Sequence, residues 1–274
     1  MDEIASLQPG AEVNNDRLRK IFGCSGQGGM RRSNKTSTLV LICNHVESIY
    51  DDRWVDGVLH YTGMGQKGDQ NLHSNQNRTL NESGSNGVRV HLFEVHTAKV
   101  YTYVGEVTLV GAPYQEEQTD EEGQQRKVWI FPIKPKTGLV PPISINIIRN
   151  LERRKERDAR RLTNEEIEEK AHQFGRKTTG IREARVNQYQ RNPYVAEHAK
   201  RRANGRCELC RNLAPFLDGD RPYLETHHIK LLARGGPDTI ENTAALCPNC
   251  HRRMHVLDDP DDVSKLIYNV TGHV

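Results

Sequence analysis

Two Cys-x-x-Cys pairs, Cys207/Cys210 and Cys247/Cys250, stand 36 residues apart in the last third of the chain. Four thiolates in two such knuckles make one tetrahedral zinc site, and zinc binding supplies folding energy that a module this small cannot draw from its core alone. Between and after the knuckles lie His227-His228, Asn242, His251 and His255. These histidines exceed what one tetrahedral site takes, so the pattern calls for two metal centres with different tasks. Zinc ligation by His251 or His255 beside Cys250 is the competing assignment.

The chain has 274 residues, enough for two modest domains, and a mean hydropathy of −0.76. No apolar run approaches the ~18 residues of a membrane span. The N-terminus lacks the basic and apolar regions of a signal peptide, so a cytoplasmic location is expected. Paired CxxC motifs also point to a reducing compartment. Cys24 and Cys43 are left over and read as buried thiols, with a disulfide as the alternative. The net charge is only +3, but residues 149 to 206 hold 17 Lys and Arg against 9 Asp and Glu. A basic stripe leading into a metal module suits contact with a nucleic-acid backbone, and a solvated charged helix would look the same.

Residues 15–135 read as a compact β domain, with strands at Thr38–Ile42, Val88–Val95, Val100–Val110 and Val128–Phe131. Lys134–Pro142 reads as a linker. Ile145–Phe174 is helical in composition, with Thr163-Asn164-Glu165-Glu166 opening a second helix inside it. Gly175–Asn192 reads as a basic tether, which makes 136–192 a helical basic linker, and 193–274 is the metal module. Within it Tyr194–Asn204 is a short helix, Tyr223–Ile229 a strand, Leu231–Thr239 a loop and Ile240–Leu246 the returning strand. His251–Val256 is a helix whose two histidines share a face at i, i+4.

His-His-Ile, an Asn fourteen residues after the second His, and Cys-x-x-Cys-His together resemble the HNH (ββα-metal) nucleases, in the variant stapled by two CxxC pairs. The resemblance covers about residues 195 to 258. It implies that His228 is the general base, that His227 and His251 ligate a divalent ion at the scissile phosphate, and that His255 is an extra ligand. Asn242 would fix the loop and orient His228. Mg2+ or Mn2+ is the expected catalytic ion and Zn2+ the structural one. Adjacent histidines on a strand point to opposite faces, so bringing both rings to one centre calls for a bulge or twist.

In the first domain Gly63-Met64-Gly65-Gln66-Lys67-Gly68 is a literal GxGxxG, but the polar stretch after it offers no helix for a dinucleotide site. A fuller match lies in Arg32-Ser33-Asn34, Asp51-Asp52 to Asp56-Gly57, Tyr61-Thr62-Gly63-Met64-Gly65, Asp69-Gln70-Asn71-Leu72, Asn77-Arg78-Thr79-Leu80, Val88-Arg89-Val90, Tyr101-Thr102-Tyr103-x-Gly105 and Trp129-x-Phe131. In this order the motifs resemble the SRA (SET- and RING-associated) domain, a reader of flipped modified cytosine. Gln66 replaces a usual glycine, the loop before Asp69 is short, and one residue is inserted near Asn75. The resemblance implies that Tyr50 and Tyr61 sandwich the base while Asp52, or its neighbour Asp51, reads its Watson–Crick edge. A flipped base needs stacking faces and an acceptor for the cytosine amino group. Ordinary core packing is the alternative for either tyrosine.

The expected fold is therefore α+β and multidomain: an SRA-like twisted β-barrel, a helical basic linker, and a ββα-metal module with a four-cysteine zinc site. Joined, the two resemblances look like the modification-dependent (type IV) restriction endonucleases, McrA-like in the nuclease half. They imply cleavage of double-stranded DNA containing 5-methylcytosine or 5-hydroxymethylcytosine in a prokaryotic cytoplasm, with a homodimer or two encounters for double-strand breaks. A nuclease without base dependence and a non-cleaving modified-DNA binder are the alternatives.

Overall fold

A computed structural model describes residues 3–46, 50–120, 124–175, 183–186 and 188–272. The chain forms two compact units, Met1–Val186 and Asn187–Val274.

The first unit is built on a nine-stranded sheet. After β1 (Glu12–Val13) and α1 (Asn15–Phe22) come β2 (Met30–Ser33), β3 (Thr38–Asn44), β4 (Arg53–Val55) and β5 (Val58–Thr62). Helix α2 (Asn75–Asn81) precedes β6 (Arg89–Thr97), β7 (Val100–Leu109), β8 (Tyr114–Thr119) and β9 (Gln125–Pro135). The strand order is β2-β3-β6-β7-β9-β5-β4, with β1 on β7 and β8 on β9. Among the described residues, only β3 and β6 pair in parallel within it. Met30, Leu39 and Leu41 from one end of that path share a buried cluster with Leu59, Tyr61 and Trp54 from the other, so the sheet wraps around its core.

Strand β3 is apolar at nearly every position because both its faces are covered. Leu39, Leu41 and Cys43 face the wrapped core. Val40 and Ile42 face the other way, onto Leu18, Ile21 and Phe22 of α1. That helix is capped by Asn14, whose side chain accepts from Arg17 N, and ends on Gly23 at φ 62°. Between β6 and β7 the register shifts at Val104, where Leu92 pairs with Gly105 and Phe93 with Tyr103. This bulge uses Gly105 at φ 138°, a backbone angle that favours glycine.

The stretch expected as a linker is partly built into the fold. Strand β9 continues to Pro135 and Val140 packs against the sheet core. Strand β10 (Ile143–Ser144) then leads into α3 (Ile145–Ala159) and α4 (Asn164–Phe174). Thr163 and Glu166 form a reciprocal capping box at the start of α4, as their spacing predicts. β10 pairs with β11 (Ala184–Arg185). Residues 176–182 and 187 of the expected tether lie outside the described residues.

The second unit begins with α5 (Pro193–Ala203) and a small hairpin of β12 (Leu217–Asp218) and β13 (Arg221–Pro222). β14 (Glu225–His228) then pairs antiparallel with β15 (Thr243–Leu246), followed by α6 (Pro248–Leu257) and α7 (Pro260–Thr271). Ala199 and Ala203 of α5, Ala244–Leu246 of β15, Met254 of α6, and Leu266 and Val270 of α7 share one buried cluster. Glu208 is buried beneath it, and its carboxylate accepts from Arg202 Nε, Arg202 Nη2 and Ala245 N at 2.7–3.1 Å. With its charge paired and its oxygens bonded, this group is tolerated in a small core.

Candidate functional site

The four knuckle sulfurs, of Cys207, Cys210, Cys247 and Cys250, lie within 4.8 Å of one another, with Cys210 and Cys247 at 4.0 Å. A zinc ion with Zn–S bonds of about 2.3 Å sets each S···S edge near ~3.8 Å, so the cluster fits that ion. The backbone shapes both knuckles. Cys207 O accepts from Arg211 N, where Arg211 takes φ 65°, and Cys247 is the N-cap of α6 with its carbonyl bonded to His251 N.

The same helix carries His251 and His255 toward β14. The rings of His227, His251 and His255 approach with centroids 4.7–5.3 Å apart. One nitrogen from each lies within 4.8 Å of the others. His251 Nδ1 donates to Glu225 Oε2 at 2.6 Å, which turns its Nε2 into the cluster, 3.0 Å from His255 Nε2. Tyr223 donates to the other oxygen of Glu225. Burial, then the charges of His255 and His251, pushes His227 down to about 3, so it is a neutral imidazole, the form that ligates metals. Its buried Nδ1 makes no hydrogen bond.

His228 points elsewhere. Strands β14 and β15 pair in unbroken register, with His227 opposite Ala244 and His228 opposite Thr243. The expected bulge is absent from this pairing, because alternation alone places both rings usefully. His228 Nε2 lies 2.8 Å from Asp238 Oδ1, and Asp238 also accepts from Asn192 N. Asn242 joins both ends of the intervening loop: it donates to Lys230 O and Pro237 O and accepts from Lys230 N. Asn242 thus holds the loop, and Asp238 on that loop holds His228. Asp238 and Glu225 carried no signal in the sequence, since each is an isolated acid in a polar stretch.

In the first unit the expected pocket residues gather around β5. Asp52 Oδ1 accepts from Thr62 N at 2.7 Å, and Asp52 also accepts from the Cys43 thiol. Burial pushes its carboxyl up to about 7. Tyr61 is 3% exposed within the sheet core and donates to Gly29 O at 2.8 Å. Asp52, Cys43 and Tyr50 all act electrostatically on its hydroxyl. Tyr50 is half-buried, donates to Gly65 O at 3.2 Å, and has the Arg126 guanidinium 5.8 Å from its ring centroid. Arg126 is 2% exposed, and although Nη1 donates to Gly65 O, its Nε and Nη2 make no hydrogen bond. Gln118 donates to Thr62 Oγ1 while its own Oε1 is unbonded. These two residues escaped sequence reasoning. Their only sign is a charged or polar side chain at an inward position of an alternating strand.

The GxGxxG is structural. Gly63 N donates to Trp129 O, and a Cβ on Gly63 would sit 2.8 Å from both Asn77 Oδ1 and Gln70 Oε1. The next helix, α2, opens only at Asn75.

A wrapped sheet followed by a four-cysteine ββα module defines a two-part protein: an SRA-type domain and an HNH endonuclease domain. Residues 9–152 match the family model described as ScoMcrA-like, SRA domain, and residues 207–256 match that of HNH endonucleases. The chain belongs to the ScoMcrA-like SRA domain family. It is 42% identical over 81 residues to the type IV methyl-directed restriction enzyme EcoKMcrA of Escherichia coli strain K12, a match spanning 29% of each protein. Among solved structures it is similar to the type IV phosphorothioation-dependent restriction endonuclease ScoMcrA, with TM-score 0.41 and 18% identity, covering 96% of this chain and 63% of that one. It is also similar to the SRA domain of SUVH5 in complex with fully methylated CG DNA, with TM-score 0.38 and 21% identity, covering 50% and 94%. The chain thus spans less than two thirds of EcoKMcrA and of ScoMcrA.

Proposed function

We propose that the protein is a modification-dependent DNA endonuclease that cuts double-stranded DNA containing 5-methylcytosine or 5-hydroxymethylcytosine. The observation that carries this reading is the convergence of His227, His251 and His255 on one side of β14, with His228 on the other side bonded to Asp238. His227, His251 and His255 hold the catalytic divalent ion, and Cys207, Cys210, Cys247 and Cys250 hold the structural zinc. Held there, Mg2+ or Mn2+ would supply the positive charge that offsets the charge on the phosphate and on the leaving 3′ oxygen.

His228 is the general base. Asp238 accepts its Nε2–H, which leaves the lone pair on Nδ1 to take the proton of the attacking water as the P–O3′ bond breaks. Asn242 keeps Asp238 in place through the loop. Tyr50 and Tyr61 supply stacking faces for an extruded base, and Asp52 reads its edge. Tyr61 is covered in the free protein, so base entry exposes its ring. Arg126 and Gln118 bring unspent hydrogen-bonding atoms to the same region and join the pocket. The basic tether of residues 175–192 tracks the duplex backbone, and a homodimer supplies the second cut. The setting is the cytoplasm of a prokaryotic cell.

The test uses matched methylated, hydroxymethylated and unmodified plasmids with Mg2+ or Mn2+. Equal cutting of all three would remove the reader from the proposal, and no cutting with any divalent ion would remove the nuclease. His228→Ala is expected to abolish cleavage with modified-DNA binding intact. Tyr61→Ala is expected to lose the preference while basal nicking persists.

A further inference from the structure

A third group of metal-type donors lies largely buried in the first unit, apart from the two clusters of the nuclease module. Cys43 of β3 pairs with Glu94 of the parallel strand β6, so the two side chains leave the sheet on the same face. His45 Nε2 lies 3.3 Å from Cys43 Sγ and 3.0 Å from Glu94 Oε1, and the three atoms lie within 4.8 Å of one another. A tetrahedral zinc ion, with bonds of about 2.3 Å to sulfur and ~2.0–2.1 Å to nitrogen and oxygen, sets those edges at roughly 3.6 and 3.3 Å. Both observed separations fall within about 0.3 Å of these edges.

The surroundings also suit an ion. Glu94 is 1% exposed, and Trp54 Nε1 donates to its Oε1 at 2.7 Å, which fixes the carboxylate. The His96 ring stacks on His45 at 4.5 Å, within 3° of parallel. Its side chain is 7% exposed, and neither ring nitrogen makes a hydrogen bond. Its Nε2 stands 3.4 Å from Glu94 Oε2. A buried imidazole in ion-pair range of a buried carboxylate makes this part of the core strongly polar. A buried carboxylate favours a cation beside it. Thiolate, imidazole and carboxylate together select zinc over magnesium.

We propose that Cys43, His45 and Glu94 bind a zinc-type divalent ion. This site would be a third metal centre; it is separate from the nuclease clusters and adjoins the proposed reader pocket, because Cys43 also contacts Asp52.

The experiment is elemental analysis of the full-length protein after zinc loading and gel filtration. Cys43→Ser and His45→Gln are each expected to carry one zinc fewer per chain than the wild type. His227→Ala, run in parallel, reports separately on the nuclease cluster. Equal zinc content in wild type, Cys43→Ser and His45→Gln would overturn the proposal and leave the group as a hydrogen-bonded network. A zinc-edge anomalous difference map of wild-type crystals checks the result without any variant. A peak between Cys43 and Glu94 supports the site, and its absence at full zinc loading overturns it.

Discussion

Asp238 Oδ1 lies 2.8 Å from Nε2 of His228, at the end of a loop whose two sides are tied together by the side chain of Asn242. The carboxylate fixes which nitrogen of His228 carries the proton. Asp238→Ala is expected to lower the cleavage rate by about 10–100-fold, the usual cost of losing a partner that orients a working imidazole. Asp238→Asn keeps an acceptor and is expected to recover part of that loss. Single-turnover kinetics at saturating enzyme, with DNA affinity measured in parallel, separates this effect from weaker binding. Unchanged rates in both variants would show that His228 needs no such partner.

Glu225 stands behind His251 as Asp238 stands behind His228. Glu225→Ala is expected to weaken divalent-ion affinity by about 10–100-fold, because His251 loses the contact that directs its Nε2 into the cluster. Titration of cleavage against Mn2+ reads this as a rightward shift with the plateau largely kept. A lowered plateau at unchanged half-saturation would assign Glu225 another task.

Arg126 tests the pocket through opposing signs. Its buried guanidinium leaves two nitrogens unbonded, so Arg126→Gln is expected to leave the melting temperature unchanged or raise it. The same change is expected to weaken binding of modified DNA by about 10–100-fold, since a hydrogen bond to a charged group is worth about 1.5–3 kcal/mol. Calorimetry and a fluorescence anisotropy titration measure the two sides. Loss of stability with unchanged binding would make Arg126 a structural residue.

Gly63 marks the tightest point of the loop beside the pocket. Gly63→Ala places a methyl 2.8 Å from the Asn77 and Gln70 side chains and 3.0 Å from the Phe131 ring. Overpacking of this kind costs about 1–3 kcal/mol, which denaturant unfolding resolves. Because Gln70 and Asn77 also bind the backbone of Gly63 to Gly65, the variant is expected to lose modified-DNA binding as well.

The parts legible in the sequence are those where local chemistry decides the outcome. Thr163 and Glu166 cap a helix through contacts three residues apart, and the knuckles of Cys207 and Cys247 are short turns set by their own backbone. The i, i+4 spacing of His251 and His255 likewise survives intact into α6. What stayed hidden depends on long-range pairing. Glu94 meets His45 across 49 residues, and Arg126 reaches Gly65 across 61. The expected bulge at His227-His228 came from requiring both rings at one centre, whereas loop 230–242 folds over and gives His228 its own partner. Val140 followed the sheet core because the continuing β9 carries it there, which its Pro- and Gly-rich neighbourhood conceals.

The regular register of β14 against β15 has a further consequence. His227 and His228 differ in environment only because neighbouring side chains on a strand leave by opposite faces. A one-residue slip would therefore turn each ring to the other face, so that the α6 cluster and Asp238 could not both keep a histidine. No gradual path joins the two arrangements. Insertions or deletions inside the hairpin are consequently all-or-none events, and variation among chains of this kind should gather in the loop ahead of Asp238 rather than in the strands that flank it.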